Sequence, residues 1–203
     1  NVAVGHKALQ NTTGNFNTGV GKDALAGTSN TGNSNTAIGY QSMYSIAGGD
    51  SNTAVGYQSL NSNTTSGGNT AVGNLALEKN TAPNNTAVGN SSLKNNTTGP
   101  YNTAMGVNAL MDNTTGGSNV AIGDAALEKN NASDNIAVGV NALFNNTTGG
   151  SNVAIGTNAL ENNTPTAGGP YGAYQGICNV AMGRAALRYN NTGSLNVAIG
   201  HES

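Results

Sequence analysis

Apolar residues recur along this chain at a fixed spacing, and polar stretches rich in Asn, Thr and Gly separate them. The phrase Asn-x-Ala-(Val/Ile/Met)-Gly occurs twelve times, with one variant copy in which Gly19 takes the place of Ala. A Leu follows four residues after the Gly in most copies, and Met43 stands there once. Self-similarity at a fixed period is the signature of a repeat architecture, so the chain is predicted to be a stack of similar units.

Each repeat is numbered from its first Asn as position 1, so that the Gly is position 5 and the Leu position 9. The residues at position 1 are Asn1, Asn17, Asn35, Asn52, Asn69, Asn85, Asn102, Asn119, Asn135, Asn152, Asn179 and Asn196. The interval between successive copies is sixteen, seventeen or eighteen positions, and it lengthens to twenty-seven between Asn152 and Asn179. We therefore predict a single repeat domain over residues 1–203, with a loop insertion within residues 164–178.

The composition and spacing of each repeat argue against a helix. Gly, Asn and Thr have low helix propensity, and the apolar positions 4 and 9 are five residues apart, which does not define one helical face. Positions 2 to 4 are therefore predicted to form a short strand, and positions 7 to 9 a second one. The Gly at position 5 and the Asn-Thr-Thr-Gly stretch supply the turns.

Two short strands and two turns in each repeat describe one coil of a β-solenoid. The predicted fold is all-β: a parallel β-solenoid, or β-roll, of about twelve 17-residue coils, each with two short strands. Equivalent residues of successive coils would stack about 4.8 Å apart and form ladders. Representative ladder residues are Asn52, Ala54, Val55, Gly56 and Leu60 in one coil, and Asn119, Ile122, Gly123 and Leu127 in another.

The sizes of the side chains suggest which columns face inward. We expect the large residues at positions 4 and 9 to fill the coil, and the small residues at positions 3, 5 and 8 to meet neighbouring chains. Two large aliphatic side chains per coil contribute about 1.5 to 3 kcal/mol each when buried. Ordering the backbone costs about 1 to 2 kcal/mol per residue. This thin core is the reason to expect self-association.

Composition and charge exclude several classes of function. The 30 Gly residues, with 8% charged and 4% aromatic residues, would alone suggest disorder, but the fixed period argues against it. A net charge of -2 without a basic run does not favour nucleic acid as a partner. No apolar stretch is long enough for membrane insertion. Cys178 is the single cysteine, so no intrachain disulfide is possible.

The repeated phrase resembles two groups of known proteins. Asn-(Thr/Val)-Ala-(Val/Ile)-Gly followed by (Ala/Ser)-Leu is similar to the head repeats of trimeric autotransporter adhesins. The fuller phrase NTAVGYQSL…NTT, at residues 52–65, resembles repeats of phage-type tail fibres and bacterial surface fibres. The resemblance covers nearly the whole chain and implies a left-handed coil, a homotrimer and an extracellular, cell-surface or virion location. The coil here is longer than in the adhesin heads.

Candidate binding and modification sites are few. Asn-x-Ser/Thr triplets make Asn11, Asn63, Asn96, Asn113 and Asn146 possible glycosylation sites, although turn-forming residues alone also produce such triplets. The insertion carries Tyr171 and Tyr174, which would suit a ligand loop, although a tolerated surface insertion is the favoured explanation.

No catalytic chemistry recurs along the chain. No nucleophile, base and orienting group repeat together, and neither clustered metal ligands nor a phosphate-binding loop is present, so we predict no enzyme, no metal and no cofactor. The leading hypothesis is a structural extracellular fibre segment that partners itself as a homotrimer or an end-to-end filament. The alternative is an adhesin that binds a surface glycan or a protein through its side face or loop. Ice binding through the position-2 Thr column is disfavoured, because that column is expected to face inward.

Overall fold

The chain folds as one stack of coils in the computed structural model, which describes residues 1–27, 29–164 and 176–203. Every repeat contributes a three-residue strand at positions 2 to 4. The strands are β1 Val2–Val4, β2 Thr18–Val20, β3 Thr36–Ile38, β4 Thr53–Val55, β5 Thr70–Val72, β6 Thr86–Val88, β7 Thr103–Met105, β8 Val120–Ile122, β9 Ile136–Val138, β10 Val153–Ile155, β11 Val180–Met182 and β12 Val197–Ile199. Within these residues there is no helix that could span a membrane.

The twelve strands form one parallel sheet in sequence order, so each coil lies between the coils that precede and follow it in the chain. Equivalent positions are paired throughout; Thr53 pairs with Thr70, for example. The register is kept across the insertion, because Val153 pairs directly with Val180. The predicted parallel β-solenoid, with one coil for each repeat, is confirmed.

The prediction of a second strand in each coil is wrong. Positions 7 and 9 have positive φ angles, as at Gln58 (50°) and Leu60 (52°), and a left-handed backbone does not form an extended strand. The segment is a turn that still stacks coil on coil. The Gln58 N–H donates to the carbonyl of Tyr40 (2.9 Å), and the Leu60 N–H donates to that of Ala76 (2.9 Å). Its backbone is therefore satisfied by neighbouring coils although it is not a strand.

The interior of the solenoid is lined by small residues on the strand side and by Leu on the turn side. Ala54 and Leu60 are both 0% exposed, and the same holds for their equivalents in the inner coils. The expectation that position 4 points inward is wrong, because Val72 and Ile122 are 36% and 39% exposed. The coil is too narrow for two facing columns of large side chains. A Cβ added at Gly19 would already lie 3.2 Å from Cγ of Leu9.

Two stacks of Asn side chains complete the interior. At position 1, the Asn52 N–H donates to Oδ1 of Asn35 at 2.9 Å, and this bond recurs from coil to coil. The second stack lies at position 12, where Nδ2 of Asn113 donates to Oδ1 of Asn96 at 2.8 Å. These side chains are buried, and a buried amide is tolerated when its hydrogen bonds are made. The position-1 stack therefore links each coil to the next. The position-12 stack does so in two runs, Asn80 to Asn113 and Asn130 to Asn190, because Oδ1 of Asn63 and Oδ1 of Asn113 accept no hydrogen bond.

Removing one amide from the position-1 stack should destabilise the fold strongly. Oδ1 of Asn102 accepts from the backbone N–H and from Nδ2 of Asn119, each at 3.0 Å, while its own Nδ2 donates to Gly116 O at 2.9 Å. Asn102→Ala leaves the buried backbone N–H of Asn119 without a partner and a void in place of the amide. Nδ2 of Asn119 keeps its bond to Ala132 O, and Gly116 O keeps its bond from Asn113, so we expect a loss of about 2 to 3 kcal/mol in the free energy of unfolding. Urea denaturation followed by circular dichroism measures it.

Asn95→Ala is the matched control for this prediction. The Asn95 side chain lies on the outside of the coil and makes one exposed hydrogen bond, to Asp112 at 3.1 Å. Its removal should change the free energy of unfolding by no more than about 0.5 kcal/mol. Equal effects of the two substitutions would mean that the buried stack does not stabilise the coils.

Candidate interaction surface

The outer side of the parallel sheet is a regular surface that runs along all twelve coils. Successive side chains of a strand point to opposite faces, so the burial of Ala at position 3 turns positions 2 and 4 outward. Position 6, after the Gly, flanks the strand on one side, and the residue directly before each position-1 Asn flanks it on the other. We call these four columns the sheet face.

Nearly all exposed large apolar side chains of the described residues lie on the sheet face. Twenty such side chains are exposed, and only Tyr44 and Tyr189 lie elsewhere. The other eighteen are Val2, Val4, Phe16, Ile38, Tyr40, Tyr57, Val72, Tyr101, Met105, Val107, Ile122, Ile136, Val140, Ile155, Met182, Leu195, Val197 and Ile199. A contiguous apolar surface of this kind marks an interaction site.

Charge is excluded from the centre of this surface. No copy of the repeat has a charged residue at position 2 or position 4, although the chain contains 7 Lys and Arg and 9 Asp and Glu. Four of these charged residues, namely Lys22, Asp124, Asp134 and Arg184, occupy the flanking columns. Twelve coils of about 4.8 Å extend the surface to roughly 58 Å. Its two central columns therefore form an uncharged strip along all twelve coils.

The position-2 column divides the sheet face into two segments. In β2 to β7 it is Thr in every strand, and in β8 to β12 it is Val or Ile in every strand. The Thr segment consists of Thr18, Thr36, Thr53, Thr70, Thr86 and Thr103. None of these six hydroxyl groups makes a hydrogen bond within the described part of the chain. The expectation that the position-2 Thr column faces inward is therefore wrong.

One edge of the sheet face carries a short aromatic column. Tyr40 and Tyr57 occupy position 6 of adjacent coils, and their rings stack with centroids 5.4 Å apart and an interplanar angle of 15°. Nζ of Lys22, in the coil before, lies 5.6 Å from the Tyr40 centroid. The rings face one another along the stack, so their edges, rather than their faces, are presented outward.

The opposite side of the coils, at positions 10 and 11, is polar. Glu78 and Lys94 form an ion pair at 3.8 Å between adjacent coils, and Arg188 pairs with Glu161 at 2.6 Å. Desolvation raises the pKa of the Glu128 carboxyl, and the nearby Asp112 carboxylate raises it further. Partly exposed, mixed charges of this kind are typical of a solvated surface.

Four of the five predicted glycosylation sites lie inside the coil. Asn63, Asn96, Asn113 and Asn146 are 0% exposed and belong to the position-12 stack. Nδ2 of Asn146, for example, donates to Oδ1 of Asn130 at 2.8 Å and to Gly149 O at 2.7 Å. A glycan on that nitrogen is incompatible with the folded coil. Asn11 is exposed.

The remaining candidate residues are not brought together into a site. Tyr171 and Tyr174 lie outside the described residues. Cys178 is exposed and stands directly before Asn179, at the edge of the sheet face. Across residues 1–27, 29–164 and 176–203, no three His, Cys, Asp or Glu side chains are grouped so that they could hold a metal ion.

Comparison with known proteins adds no family to these observations. No family model matches the chain, and neither a curated protein nor a solved structure is significantly similar to it. The inference of function therefore depends on the sheet face and on the repeat itself.

Proposed function

We propose that this chain is a structural segment of an extracellular fibre, and that copies associate side by side through the sheet face. The observation that supports the proposal best is the charge-free double column at positions 2 and 4, flanked by most of the other exposed apolar side chains. Exposed apolar side chains along this strip are unfavourable in water, and a second copy offers the same strip with the same repeat.

The internal structure of the coils suits a stiff structural element. Each coil is joined to the next by strand pairing, by backbone bonds of the turn and by the position-1 Asn stack, and the position-12 Asn stack joins most of the later coils. In a solenoid of this kind each repeat contacts only its neighbours, so stiffness grows from many equivalent interfaces. Three chains per fibre and a left-handed coil are taken from the resemblance of the repeats to adhesin heads and fibre repeats.

The adhesin alternative has less support. It depends on a glycan or protein ligand held by the side face or by Tyr171 and Tyr174, which lie outside the described residues. The aromatic column of Tyr40 and Tyr57 does not offer an open ring face on which a sugar could stack between the two rings. The fibre segment is therefore the function that we put forward.

The mass of the native particle tests the proposal. Size exclusion with light scattering is expected to give three chains of 20.1 kDa each, at micromolar chain concentration. A single chain would contradict association through the sheet face. In that case the exposed Thr column becomes a candidate ice-binding surface, and a thermal-hysteresis assay on the same sample is the next measurement. An open-ended polymer would indicate joining of the ends instead.

A further inference from the structure

The position-2 column of the sheet face changes character between β7 and β8. Six consecutive strands, β2 to β7, have Thr there, and five consecutive strands, β8 to β12, have Val or Ile. Position 4 is Val, Ile or Met in both halves. Thr and Val have the same branched shape, so the halves differ chiefly by a hydroxyl group in place of a methyl group. We call the side chains at positions 2 and 4 of β8 to β12 the aliphatic segment.

Side-by-side association affects these two halves differently. When two parallel chains turn their sheet faces toward each other, the order of the columns in one chain is reversed relative to the other. The position-2 column of each chain then meets the position-4 column of its partner. Along β8 to β12 this contact is aliphatic on both sides. Along β2 to β7 it sets Thr hydroxyl groups against Val, Ile and Met side chains, which offer no partner stronger than the thioether of Met105.

We propose that copies of the chain contact one another through the aliphatic segment, and that the Thr segment stays in water. This inference rests on the proposed association through the sheet face. A hydroxyl group that leaves water and gains no partner opposes the contact that buries it, and six such groups would oppose it at every coil from β2 to β7. The aliphatic segment has no such group at its centre, so burial there is opposed by nothing comparable.

The surroundings of the aliphatic segment support this assignment. Four charged residues occupy the flanking columns of the sheet face, and three of them, Asp124, Asp134 and Arg184, lie beside the aliphatic segment. Lys22 alone lies beside the Thr segment. Protein interfaces combine a centre without charges and a polar rim that remains accessible to water. The aliphatic segment and its flanks have this arrangement.

The strongest competing surface is the aromatic column beside the Thr segment. Tyr40 and Tyr57 are exposed, and tyrosine is common in protein interfaces. Their rings already stack on each other, with centroids 5.4 Å apart, and each ring carries a further hydroxyl group that needs a partner when buried. An interface centred on these rings would also bury the Thr segment next to them.

Nothing inside a single coil distinguishes Thr from Val at position 2. Thr53 pairs with Thr70 in the same parallel register in which Val153 pairs with Val180. None of the six Thr hydroxyl groups makes a hydrogen bond within the described part of its own chain. Exchange of Thr and Val at this position is therefore expected to leave the coils folded, which allows the contact between chains to be tested separately.

A pair of lysine substitutions in the Thr half tests which half forms the contact. Ile38→Lys and Val72→Lys lie at position 4, two strands apart, and the replaced side chains are 40% and 36% exposed. Ile122 and Ile155 have the same spacing in the aliphatic segment and are 39% and 38% exposed. Light scattering is expected to give the wild-type mass for the Ile38 and Val72 variant, and the mass of one chain when Ile122 and Ile155 are replaced by Lys.

A variant without added charge tests the role of the hydroxyl groups. It replaces the five position-2 residues of the aliphatic segment by Thr, namely Val120, Ile136, Val153, Val180 and Val197. Its dissociation constant, measured by light scattering over a dilution series, should rise by on the order of tenfold for each hydroxyl group that the contact buries. The matched variant replaces the six residues of the Thr segment by Val and should associate at least as tightly as wild type. Melting curves establish that both variants are folded.

The results separate this inference from the proposed function. If wild-type protein is associated and the Ile38 and Val72 variant has the mass of one chain, the Thr half belongs to the interface and the inference is overturned, while association through the sheet face stands. Unchanged affinity of the five-Thr variant, or weaker association of the six-Val variant, would also overturn the inference alone. A wild-type particle of one chain would overturn both the inference and the proposed function.

Discussion

Replacing Ile122 and Ile155 by Lys is expected to separate the associated chains without unfolding them. Both side chains lie at position 4 on the sheet face and are 39% and 38% exposed in the single chain. Each Lys would place an unpaired charge in an apolar interface, where the penalty is several kcal/mol per ion. Two such charges per chain should raise the dissociation constant at least a thousandfold. Light scattering should then give the mass of one chain, with an unchanged circular dichroism spectrum.

The control for this prediction places the same two charges on the other side of the coils. Asn95→Lys and Asn162→Lys occupy position 11, among the ion pairs of the polar surface. This variant should keep the mass of the wild-type particle. If the Ile122 and Ile155 variant also kept that mass, the chains would have to associate through a surface other than the sheet face.

The period of the repeat was sufficient to predict the solenoid, because each 17-residue unit can bury its apolar side chains only against copies of itself. It was not sufficient to predict which side of the strand faces inward. Positions 2 to 4 are all compatible with burial, and the prediction relied on the larger size of Val and Ile. Leu60 and its equivalents already fill the coil, so only Ala54 fits opposite them.

A signal for the correct orientation was present in the sequence. Position 3 is Ala in eleven of twelve copies, whereas position 4 varies among Val, Ile and Met. A closely packed interior tolerates little change in volume, so the column of constant size is the enclosed one. The variation at position 4, as at Met105 and Ile122, is typical of a less enclosed surface.

The turn half of the coil was harder to predict for a different reason. Leu60 and its equivalents adopt a left-handed backbone, which is uncommon for a bulky residue and has no local sequence signature. Burial of the Leu side chain against its neighbours stabilises this conformation. Because Asn is a usual turn residue, the sequence at position 12 favours an exposed turn with glycosylation sites. Its recurrence as Asn63, Asn80 and Asn96 in successive coils indicates a requirement beyond turn formation.

The Gly column at position 5 should be the least tolerant of substitution. Gly123 has a φ of 136°, which side chains rarely adopt, and a Cβ there would lie 2.6 Å from the carbonyl carbon of Gly139 in the next coil. The obstacle is backbone fixed by strand pairing, so it cannot move aside. Gly123→Ala is expected to cost about 4 kcal/mol or more in the free energy of unfolding. Because each coil contacts only its neighbours, amide hydrogen exchange should speed up most in the coils of β8 and β9.

Gly48→Ala provides the comparison for the Gly123 substitution. A Cβ at Gly48 would meet only Oγ1 of Thr31 at 3.6 Å, an ordinary contact. Its effect should stay within about 0.5 kcal/mol of wild type, or be slightly stabilising because Ala restricts the unfolded chain. Similar stability of the two variants would show that adjacent coils can move apart at position 5. The close backbone approach along the Gly column would then not be what sets the spacing between coils.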